Sequence, residues 1–535
     1  MTQKNILLPI ITISIAISSL NVEGYKFLVI SPVYAFSHMK CMATIANQLA
    51  DVGHEVTYFQ PFVLEEFKDH QLIKNPNIEV MNYWHDAVGK NNLPNYKILS
   101  NAWISEKKIL KPKVFYHSFE HMCRKMFEDK QLHLLLKKKA FDVVLSETFD
   151  FCGLYLADYI GMPTIISVFS GVRLNAIRTA LGEPSSLHYM PTSSSKSLSN
   201  PTIHDRFKDL WRRTFATEFS ELFDLQFELA TRITDEKVRH WKQILNDVTY
   251  HFTNENPYLD FVVPTIPKVI PIGGYTMDYT NVPPVPEEID VLLNTRPFTV
   301  FISYGSMVTS KSMPEDYKKG MIQMFLQNSN VTFLWKYEDP EEKFLETMLP
   351  DNVYVAKWFP QQSLLADKRV NMFITHGGLG SVMELAYAAK PAIVTPLFAD
   401  QPYNAQMLSQ HGSAEIYSKF DVPNGTKQSA LLREMLTNEK YQIAATRLAE
   451  ILSHQPIRPK EVMIKHAEHA ARFGRIPTLT PSVKDMDCIE FYNLDIIILS
   501  WFWFIIRIRF FKYLDYGNND NNNNCDGTTV PVQCL

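Results

Sequence analysis

The chain has 535 residues, which is too long for one ordinary hydrophobic core and predicts two domains. Its hydrophobic fraction of 46% and charged fraction of 21% are typical of a globular protein. A formal net charge of −4 excludes the basic surface that nucleic-acid binding needs. The six cysteines show neither zinc spacing nor a disulfide framework, so we expect buried thiols that are not ligands or nucleophiles.

The N-terminus has the layout of a secretory signal. Lys4 precedes the apolar stretch Ile6 to Leu20, and compact residues up to Gly24 permit cleavage, which predicts a signal peptide over 1–24. The sequons Asn330-Val-Thr and Asn424-Gly-Thr agree with a lumenal glycoprotein. We therefore expect the body of the chain in the lumen of the endoplasmic reticulum.

A second apolar run, Ile496 to Ile506, lies near the C-terminus and is followed by basic residues. It predicts a short single-pass type I membrane segment over 492–511, with a cytosolic low-complexity tail over 512–535 that should be disordered around Asn518 to Asn524. As a helix the run rises only about 16 Å, so an interfacial helix on the membrane is the alternative.

In chain order, the N-terminal half alternates buried strands with amphipathic helices. Residues 60–135 and 205–246 are predicted to be mainly helical and 182–205 to form a loop. Prolines from Pro257 to Pro286 place a linker near 280–295, so the N-terminal domain is expected over 25–285. The predicted strands are Tyr25 to Ser31, Glu55 to Phe59, Phe141 to Ser146 and Thr164 to Val168.

The C-terminal half, expected as a domain over 286–480, repeats this alternation and ends in helices near 426–474. The pattern predicts an α/β protein of two doubly wound domains that face each other across a cleft. In such sheets, ligands bind outside the carboxyl ends of the strands. The predicted strands are Phe298 to Ser303, Val331 to Lys336, Asn352 to Ala356, Val370 to Thr375, Ala392 to Thr395 and Ala414 to Tyr417.

The densest cluster of ligand-binding residue types runs from Phe373 to Ser381, as a strand, a glycine-rich turn and the start of a helix. Its glycines let backbone amides approach an anion, and the helix N-terminus adds a favourable dipole. His376 would donate to a diphosphate oxygen, and Gly305-Ser306 offers a second turn of this kind. Glu384 lies about two helical turns further on and would reach a ribose hydroxyl. A solvated helix carboxylate is the alternative for Glu384.

The segment that contains this cluster resembles the UDP-sugar signature of UDP-glycosyltransferases. It begins at Trp358-Phe359-Pro360-Gln361, passes through Thr375-His376-Gly377-Gly378 and Glu384, and ends at Pro396-Leu397-Phe398-Ala399-Asp400-Gln401-Pro402. Asn256-Pro257-Tyr258-Leu259-Asp260 and Pro271-Ile272-Gly273-Gly274 are similar to the animal branch, the UDP-glucuronosyltransferases. The resemblance extends from about Tyr25 to Ile506 and implies the GT-B fold, with two Rossmann-like domains.

The resemblance also implies a role for each matching residue. Trp358 would stack on uracil, and Gln361 and Glu384 would bond the ribose and nucleoside region. The diphosphate would be held by Ser306, His376 and Ser381, with Gly378 in the turn. The sugar hydroxyls would be held by Asp400 and Gln401. Gly380 stands where many members have Asn, so that phosphate contact must be lost or made by the backbone.

The expected general base is His38, in Ser37-His38-Met39 after the first strand. An unperturbed imidazole titrates near neutral pH and suits the removal of a proton from an acceptor hydroxyl. The family has Asp at the position of Glu147, which would fix the tautomer of the base, and Asp150 is a competing candidate. A polar turn residue and an unpaired surface carboxylate are the alternatives for the histidine and the acid.

Together these residues predict an inverting transferase that moves glucuronate or glucose from a UDP-sugar to a hydroxyl of small lipophilic acceptors. No cofactor or metal is expected, because the DxD-like string Asp485-Met486-Asp487 does not follow a sheet strand. The alternative is a catalytically silent homologue that binds UDP-sugar or lipophile and partners an active transferase, so homo- and hetero-oligomers stay open. A soluble secreted carrier is a third interpretation.

Overall fold

The computed structural model of the chain describes residues 24–63, 71–84, 101–105, 113–171, 174–184, 202–205, 207–208, 220–235, 237–279, 282–482, 486, 488–491 and 493–522. Apart from Gly24, the predicted signal peptide lies outside these residues. So does most of the predicted loop at 182–205.

In the described residues, the N-terminal domain is built on a seven-stranded parallel sheet of order β3-β2-β1-β4-β5-β6-β7. Strand β1 lies between β2 and β4, so the strand order reverses beside it. Its strands are β1 Lys26–Ile30, β2 Glu55–Pro61, β3 Glu79–Tyr83, β4 Val143–Glu147, β5 Ile165–Phe169, β6 Tyr250–Thr253 and β7 Val269–Pro271.

Helices cover both faces of this sheet. The first forms because Met42, Ile45 and Leu49 recur at helical spacing and are fully buried, and it ends before Gly53, whose φ of +96° suits glycine. The helices are α1 Phe36–Asp51, α2 Lys113–Glu128, α3 Lys130–Lys139, α4 Cys152–Tyr159, α5 Asn175–Leu181, α6 Ser220–Thr234 and α7 Trp241–Asp247.

The C-terminal domain is built on a six-stranded parallel sheet of order β10-β9-β8-β11-β12-β13 in the described part of the chain. Its strands are β8 Phe298–Ser303, β9 Val331–Lys336, β10 Val353–Ala356, β11 Val370–Thr375, β12 Ala392–Val394 and β13 Ala414–Ile416. Its helices are α8 Glu287–Leu293, α9 Glu315–Leu326, α10 Lys343–Met348, α11 Gln361–Ala366, α12 Leu379–Tyr387, α13 Gln401–Ser409, α14 Gly425–Thr437 and α15 Glu439–Ser453. The prediction of two doubly wound α/β domains is confirmed.

Three strands of the first sheet were not predicted. Strand β3 lies in the region 60–135 that we expected to be helical, and its side chains are mostly exposed at the sheet edge, so no apolar run marks it. Strands β6 and β7 are short, and β6 carries polar residues although it is fully buried. Each of them forms by pairing with the preceding strand of the sheet: β3 with β2, β6 with β5 and β7 with β6.

The cysteine prediction was wrong for two residues. Cys123 on α2 and Cys152 at the start of α4 form a disulfide, with Cα atoms 5.5 Å apart. Both side chains are buried in the N-terminal core, where α2 packs on α4. Sequence separation gave no indication of this pairing, because the fold brings the two helices together. Cys41, by contrast, is a buried free thiol, as expected.

The two domains exchange segments. Helix α16, Pro459–Phe473, follows the C-terminal domain but packs on the N-terminal sheet, where Met463, Ile464 and Ala467 join the core. The predicted domain over 286–480 therefore includes a helix that belongs to the other core. In the opposite direction, Trp103 of the N-terminal half is fully buried in the C-terminal core, edge-on to Tyr304 at 4.8 Å between ring centroids.

Lys419 secures this inserted segment. Its side chain is buried, and its ammonium donates to the backbone carbonyls of Ala102 at 2.5 Å, Ser105 at 2.9 Å and Leu397 at 3.0 Å. The indole N–H of Trp103 donates to the carbonyl of Thr309 at 3.3 Å. The segment 101–105 is thus fixed between the loop after β8 and the loop after β12.

Beyond the domains, helix α17 Cys488–Phe491 precedes the terminal helix α18, Leu494–Asn522, whose apolar side chains from Ile496 to Phe511 are exposed. Helix α18 extends to Asn522 and so includes the residues from Asn518 onwards for which the sequence predicts disorder, while the rest of that run lies outside the described residues. Across all described helices, we find none that is both long and apolar enough to span a membrane.

Candidate active site

The predicted site residues lie at the points where the strand order of each sheet reverses. His38 follows β1 and Glu147 ends β4, the two neighbouring strands at the reversal of the first sheet. Ser306 follows β8 and His376 follows β11, which are neighbours at the reversal of the second sheet. Crevices at such points are where open α/β sheets bind ligands.

His38, in the first turn of α1, is held by groups of its own domain. Its Nδ1 atom lies 2.5 Å from the Tyr34 hydroxyl, 2.6 Å from the Ser170 hydroxyl and 3.6 Å from Oε2 of Glu147. The Glu147 side chain is 1% exposed, and Oε2 accepts no hydrogen bond among the described residues. The free carboxylate oxygen therefore faces the imidazole.

Asp150 is directed elsewhere. Its Oδ1 atom accepts from the amide of Cys152 at 3.1 Å and from Nε2 of Gln226 at 2.5 Å. Burial raises the pKa of Asp150 to about 6, and the nearby Glu147 carboxylate adds to the rise. Of the two predicted carboxylates, Glu147 is the one that the structure places beside His38.

Aromatic rings line the side of the pocket next to His38. Phe149 packs edge-on to the imidazole with centroids 5.3 Å apart, and it stacks on Tyr34 at 5.2 Å. Phe119 continues this group, with its centroid 5.1 Å from that of Tyr34. Burial raises the pKa of Tyr34 well above its ordinary value, so its hydroxyl stays neutral. The base thus sits against an apolar wall.

Across the cleft, His376 is enclosed by glycines. A Cβ atom on Gly305, where φ is +90°, would lie 2.7 Å from Nε2 of the imidazole, and one on Gly378 would lie 2.6 Å from it. Burial lowers the pKa of His376 to about 4, with the charge of Lys336 contributing. The ring is therefore neutral at physiological pH, and Gly305 and Gly378 are needed to accommodate it.

Lys336, the last residue of β9, lies between the Trp358 ring and this glycine-rich turn. Its ammonium donates to the Gly305 carbonyl at 2.7 Å, pairs with Glu338 at 3.1 Å and lies 5.7 Å from the centroid of the Trp358 indole. Trp358 is 59% exposed, so one face of its ring is free for a ligand. The Trp358 ring, the Lys336 ammonium and the turn at Gly305 form one continuous surface.

The predicted ribose-binding residues contact one another. Nε2 of Gln361 donates to Oε2 of Glu384 at 2.6 Å and to the Ser381 hydroxyl at 3.1 Å. Oε1 of Glu384 accepts from the ammonium of Lys40, on α1 of the opposite domain, at 2.8 Å. The structure therefore brings the predicted ribose and phosphate ligands together on α11 and α12 and adds a lysine from across the cleft.

Asp400 and Gln401 lie at the start of α13 but face different ways. Burial raises the pKa of Asp400, and a hydrogen bond from Asn404 and the charge of His38 oppose part of that rise. Oδ2 of Asp400 accepts from Asn404 at 2.8 Å. Oε1 of Gln401 instead accepts from the amides of Leu397 and Phe398, at 2.8 and 3.0 Å, so it shapes the loop before α13.

Gly380 and Ser306 are exposed positions of the predicted set. A Cβ atom on Gly380 would meet nothing within 4 Å, so the first turn of α12 has room for a side chain there. Ser306 is exposed in the turn after β8, next to Gly305.

Sequence reasoning missed Tyr34, Ser170, Lys40 and Lys336. Ser170 directly follows β5 and Lys336 ends β9, so the rule that ligands bind beyond the carboxyl ends of strands could have selected both. Tyr34 follows β1, so the same rule covers it, whereas nothing comparable marks Lys40, because its role depends on how α1 faces the other domain.

Comparisons with known proteins agree with this geometry. The family model described as "UDP-glucoronosyl and UDP-glucosyl transferase" matches residues 26–517. UDP-glucuronosyltransferase 1A7 of Mus musculus is 28% identical over 477 residues, 86% of each chain, and the 1A10 enzyme of Homo sapiens is 26% identical over 475 residues, also 86% of each. The crystal structure of Os79 from O. sativa in complex with UDP matches with a TM-score of 0.57 at 17% identity, covering 83% of this chain and 100% of that one. The predicted GT-B fold is confirmed.

Proposed function

Because the chain belongs to the family of UDP-glucuronosyl and UDP-glucosyl transferases, we propose that this UDP-glycosyltransferase moves a glucuronate or a glucose from its UDP-sugar to a hydroxyl of a small lipophilic acceptor, with inversion. One observation carries the proposal. The His38 imidazole, with a carboxylate 3.6 Å from its Nδ1, stands at the start of α1, and Lys40 of the same helix bonds across the cleft to Glu384 at 2.8 Å.

In the proposed reaction, the acceptor oxygen attacks the anomeric carbon of the sugar and passes its proton to Nε2 of His38. The bond from that carbon to the diphosphate breaks, and UDP leaves with the electron pair. His38 must carry its own proton on Nδ1 beforehand, and the oxygens of Glu147, Ser170 and Tyr34 around Nδ1 can accept that proton in a hydrogen bond. Attack from one face inverts an α-linked donor to a β-glycoside.

The donor would lie along the C-terminal domain. Uracil would stack on Trp358, and the diphosphate would meet the neutral His376, the Ser381 hydroxyl and the N-terminus of α12. Asp400 would accept from the sugar hydroxyls, and Gln401 would act by holding the loop. Lys336 places a positive charge beside this path, so the proposal requires no metal.

The aromatic wall supports a lipophilic acceptor. Phe149 is partly exposed next to the base and packs on the buried rings of Tyr34 and Phe119, and this apolar environment suits an aromatic alcohol better than a charged one. Acceptors with a phenolic hydroxyl should be turned over faster than polar sugars of equal size. Initial rates with a matched set of phenols and polyols would measure this preference.

The deciding experiment uses His38→Gln and His38→Ala with UDP-glucuronate and UDP-glucose in competition. Mass spectrometry of the products identifies the sugar transferred, and we expect both variants to lose turnover while calorimetry still shows UDP binding. A wild-type chain that binds UDP but releases none with any phenol would favour the silent homologue instead. Unchanged turnover in the His38 variants would exclude the proposed base.

We also propose that the domains are lumenal and attached to the endoplasmic reticulum membrane. The Cys123–Cys152 disulfide is typical of an oxidising compartment, and the sequon residues Asn330 and Asn424 are both exposed. Glycosidase treatment should increase the mobility of the expressed protein, and Asn330→Gln with Asn424→Gln should abolish that shift. Retention of the protein in membranes after alkaline extraction would test the segment 492–511, which stays a prediction.

A further inference from the structure

Lys40 is the cation that reaches the ribose end of the cleft from the opposite domain. Its ammonium lies 2.8 Å from Oε1 of Glu384, a carboxylate whose side chain is 7% exposed, while the lysine side chain is 38% exposed. The two residues belong to α1 and α12, so the ion pair joins the domains. A charge-assisted bond to a buried carboxylate is stronger than an ordinary surface pair.

Phe36 approaches the same part of the site from the same helix. Phe36 and Lys40 are four positions apart and lie on one face of α1, and the Phe36 ring meets the Trp358 indole edge-on at 5.9 Å between centroids. His38, between them in sequence, is turned to Glu147 and Ser170. The first turn of α1 therefore presents one side to the nucleoside region and the other to the base-orienting groups.

The carboxylate of Glu384 has capacity for a further ligand. One oxygen accepts from Lys40 and the other from Gln361, and each carboxylate oxygen retains a second lone pair that can accept from a ribose hydroxyl. The ammonium likewise has N–H donors left over. Without Lys40, the negative charge of Glu384 would stand uncompensated close to the diphosphate path and would oppose binding of an anionic nucleotide.

We propose that Lys40 is a donor-binding residue supplied by the acceptor domain, whose ammonium stays on Glu384 and also donates to a ribose hydroxyl oxygen of the nucleotide. This inference rests on the proposed function, because it assumes that Glu384 binds the ribose. It makes nucleoside recognition a property of both domains together, so that the nucleotide binds tightly only when α1 is against α12.

Calorimetry of UDP binding to the full chain tests this proposal, with Lys40→Met, Lys40→Arg and a control, Lys427→Met. Lys427 is 56% exposed and pairs with Asp421 far from the cleft residues in sequence, so its loss should leave UDP affinity unchanged. Losing a charge-assisted hydrogen bond should weaken UDP binding by about tenfold in Lys40→Met, with recovery to within about threefold in Lys40→Arg.

Two further readouts separate binding from folding. Wild type should prefer UDP to 2′-deoxy-UDP and 3′-deoxy-UDP, and Lys40→Met should lose the preference for at least one of these hydroxyls. If Lys40→Met does not fold, Lys40→Gln takes its place in every measurement. In Glu384→Gln, adding Lys40→Met should still weaken UDP binding, because the bond from the ammonium to the ribose hydroxyl is lost; no further loss would show that Lys40 only neutralises Glu384 and would overturn the proposal. If Lys40→Met binds UDP as tightly as wild type, or more tightly, the proposed role of Lys40 is wrong and the proposed transferase function is unaffected. If the folded wild type binds no UDP, both proposals are wrong.

Discussion

Replacing Glu147 by Gln tests the electrostatic support of the base. At the observed 3.6 Å, an imidazolium and a carboxylate attract by about 5 kcal/mol at an effective dielectric constant near 20. The hydroxyls of Ser170 and Tyr34 would remain to stabilise the cation, so we expect about half of this energy to be lost from the transition state. That corresponds to a fall in kcat of about 50-fold.

The amide introduced by Glu147→Gln also directs N–H donors at Nδ1, which favours the tautomer that cannot accept a proton at Nε2. The effect should therefore appear in kcat, measured by UDP release at saturating donor, whereas UDP affinity measured by calorimetry should stay unchanged because Glu147 lies in the other domain. Glu147→Asp, which keeps the charge, should be less impaired. A Glu147→Gln variant with wild-type kcat would refute the assignment of the carboxylate.

Three further predictions follow from the same geometry. Burial raises the pKa of Asp150 to about 6, so the stability that its protonated form gives at acid pH is lost as the pH rises towards 6. Asp150→Asn keeps both hydrogen bonds to Oδ1, so its free energy of unfolding should exceed that of wild type by about 3 kcal/mol at pH 7.5 and by less at pH 5. The variant should also be active. Denaturant unfolding measures the stability and UDP release the activity, and an inactive folded variant would contradict the role given to Glu147. Gly305→Ala should displace His376 and weaken UDP binding at least about tenfold, whereas Gly380→Ala, with open space around it, should bind normally; equal affinities would argue against the enclosed imidazole. Turnover should survive dialysis against EDTA, and a loss that Mg²⁺ restores would show that a metal takes part.

Central strands are easier to predict from sequence than edge strands. Strands β8, β9 and β11 begin and end where their apolar runs predict, because they are central strands with both faces buried. The edge strand β3 carries no such run, since half of its environment is solvent, and only its pairing with β2 defines it. Sequence periodicity therefore describes the centre of each domain better than its margins.

The candidate site divides in the same way. Trp358, Gln361, His376 and Glu384 lie in one continuous segment of the chain, so a local sequence motif is enough to identify them. The choice between Glu147 and Asp150 depends on which carboxylate points at the His38 ring on α1, which no spacing encodes. Contacts such as Lys40 with Glu384 join residues more than half the chain apart and exist only because the domains meet.

The exchanged segments have a consequence for anyone who dissects this protein. Cutting the linker near residue 286 would not release two independent pieces, because Trp103 is lodged between Tyr304 and Tyr317 of one lobe while α16 covers the sheet of the other. A fragment of residues 286–480 produced alone would leave an unfilled slot in its core and an unpaired apolar helix. Chimaeras that exchange the N-terminal domain between relatives would need matching residues where the Trp103 segment enters the C-terminal core and where α16 packs on the N-terminal sheet.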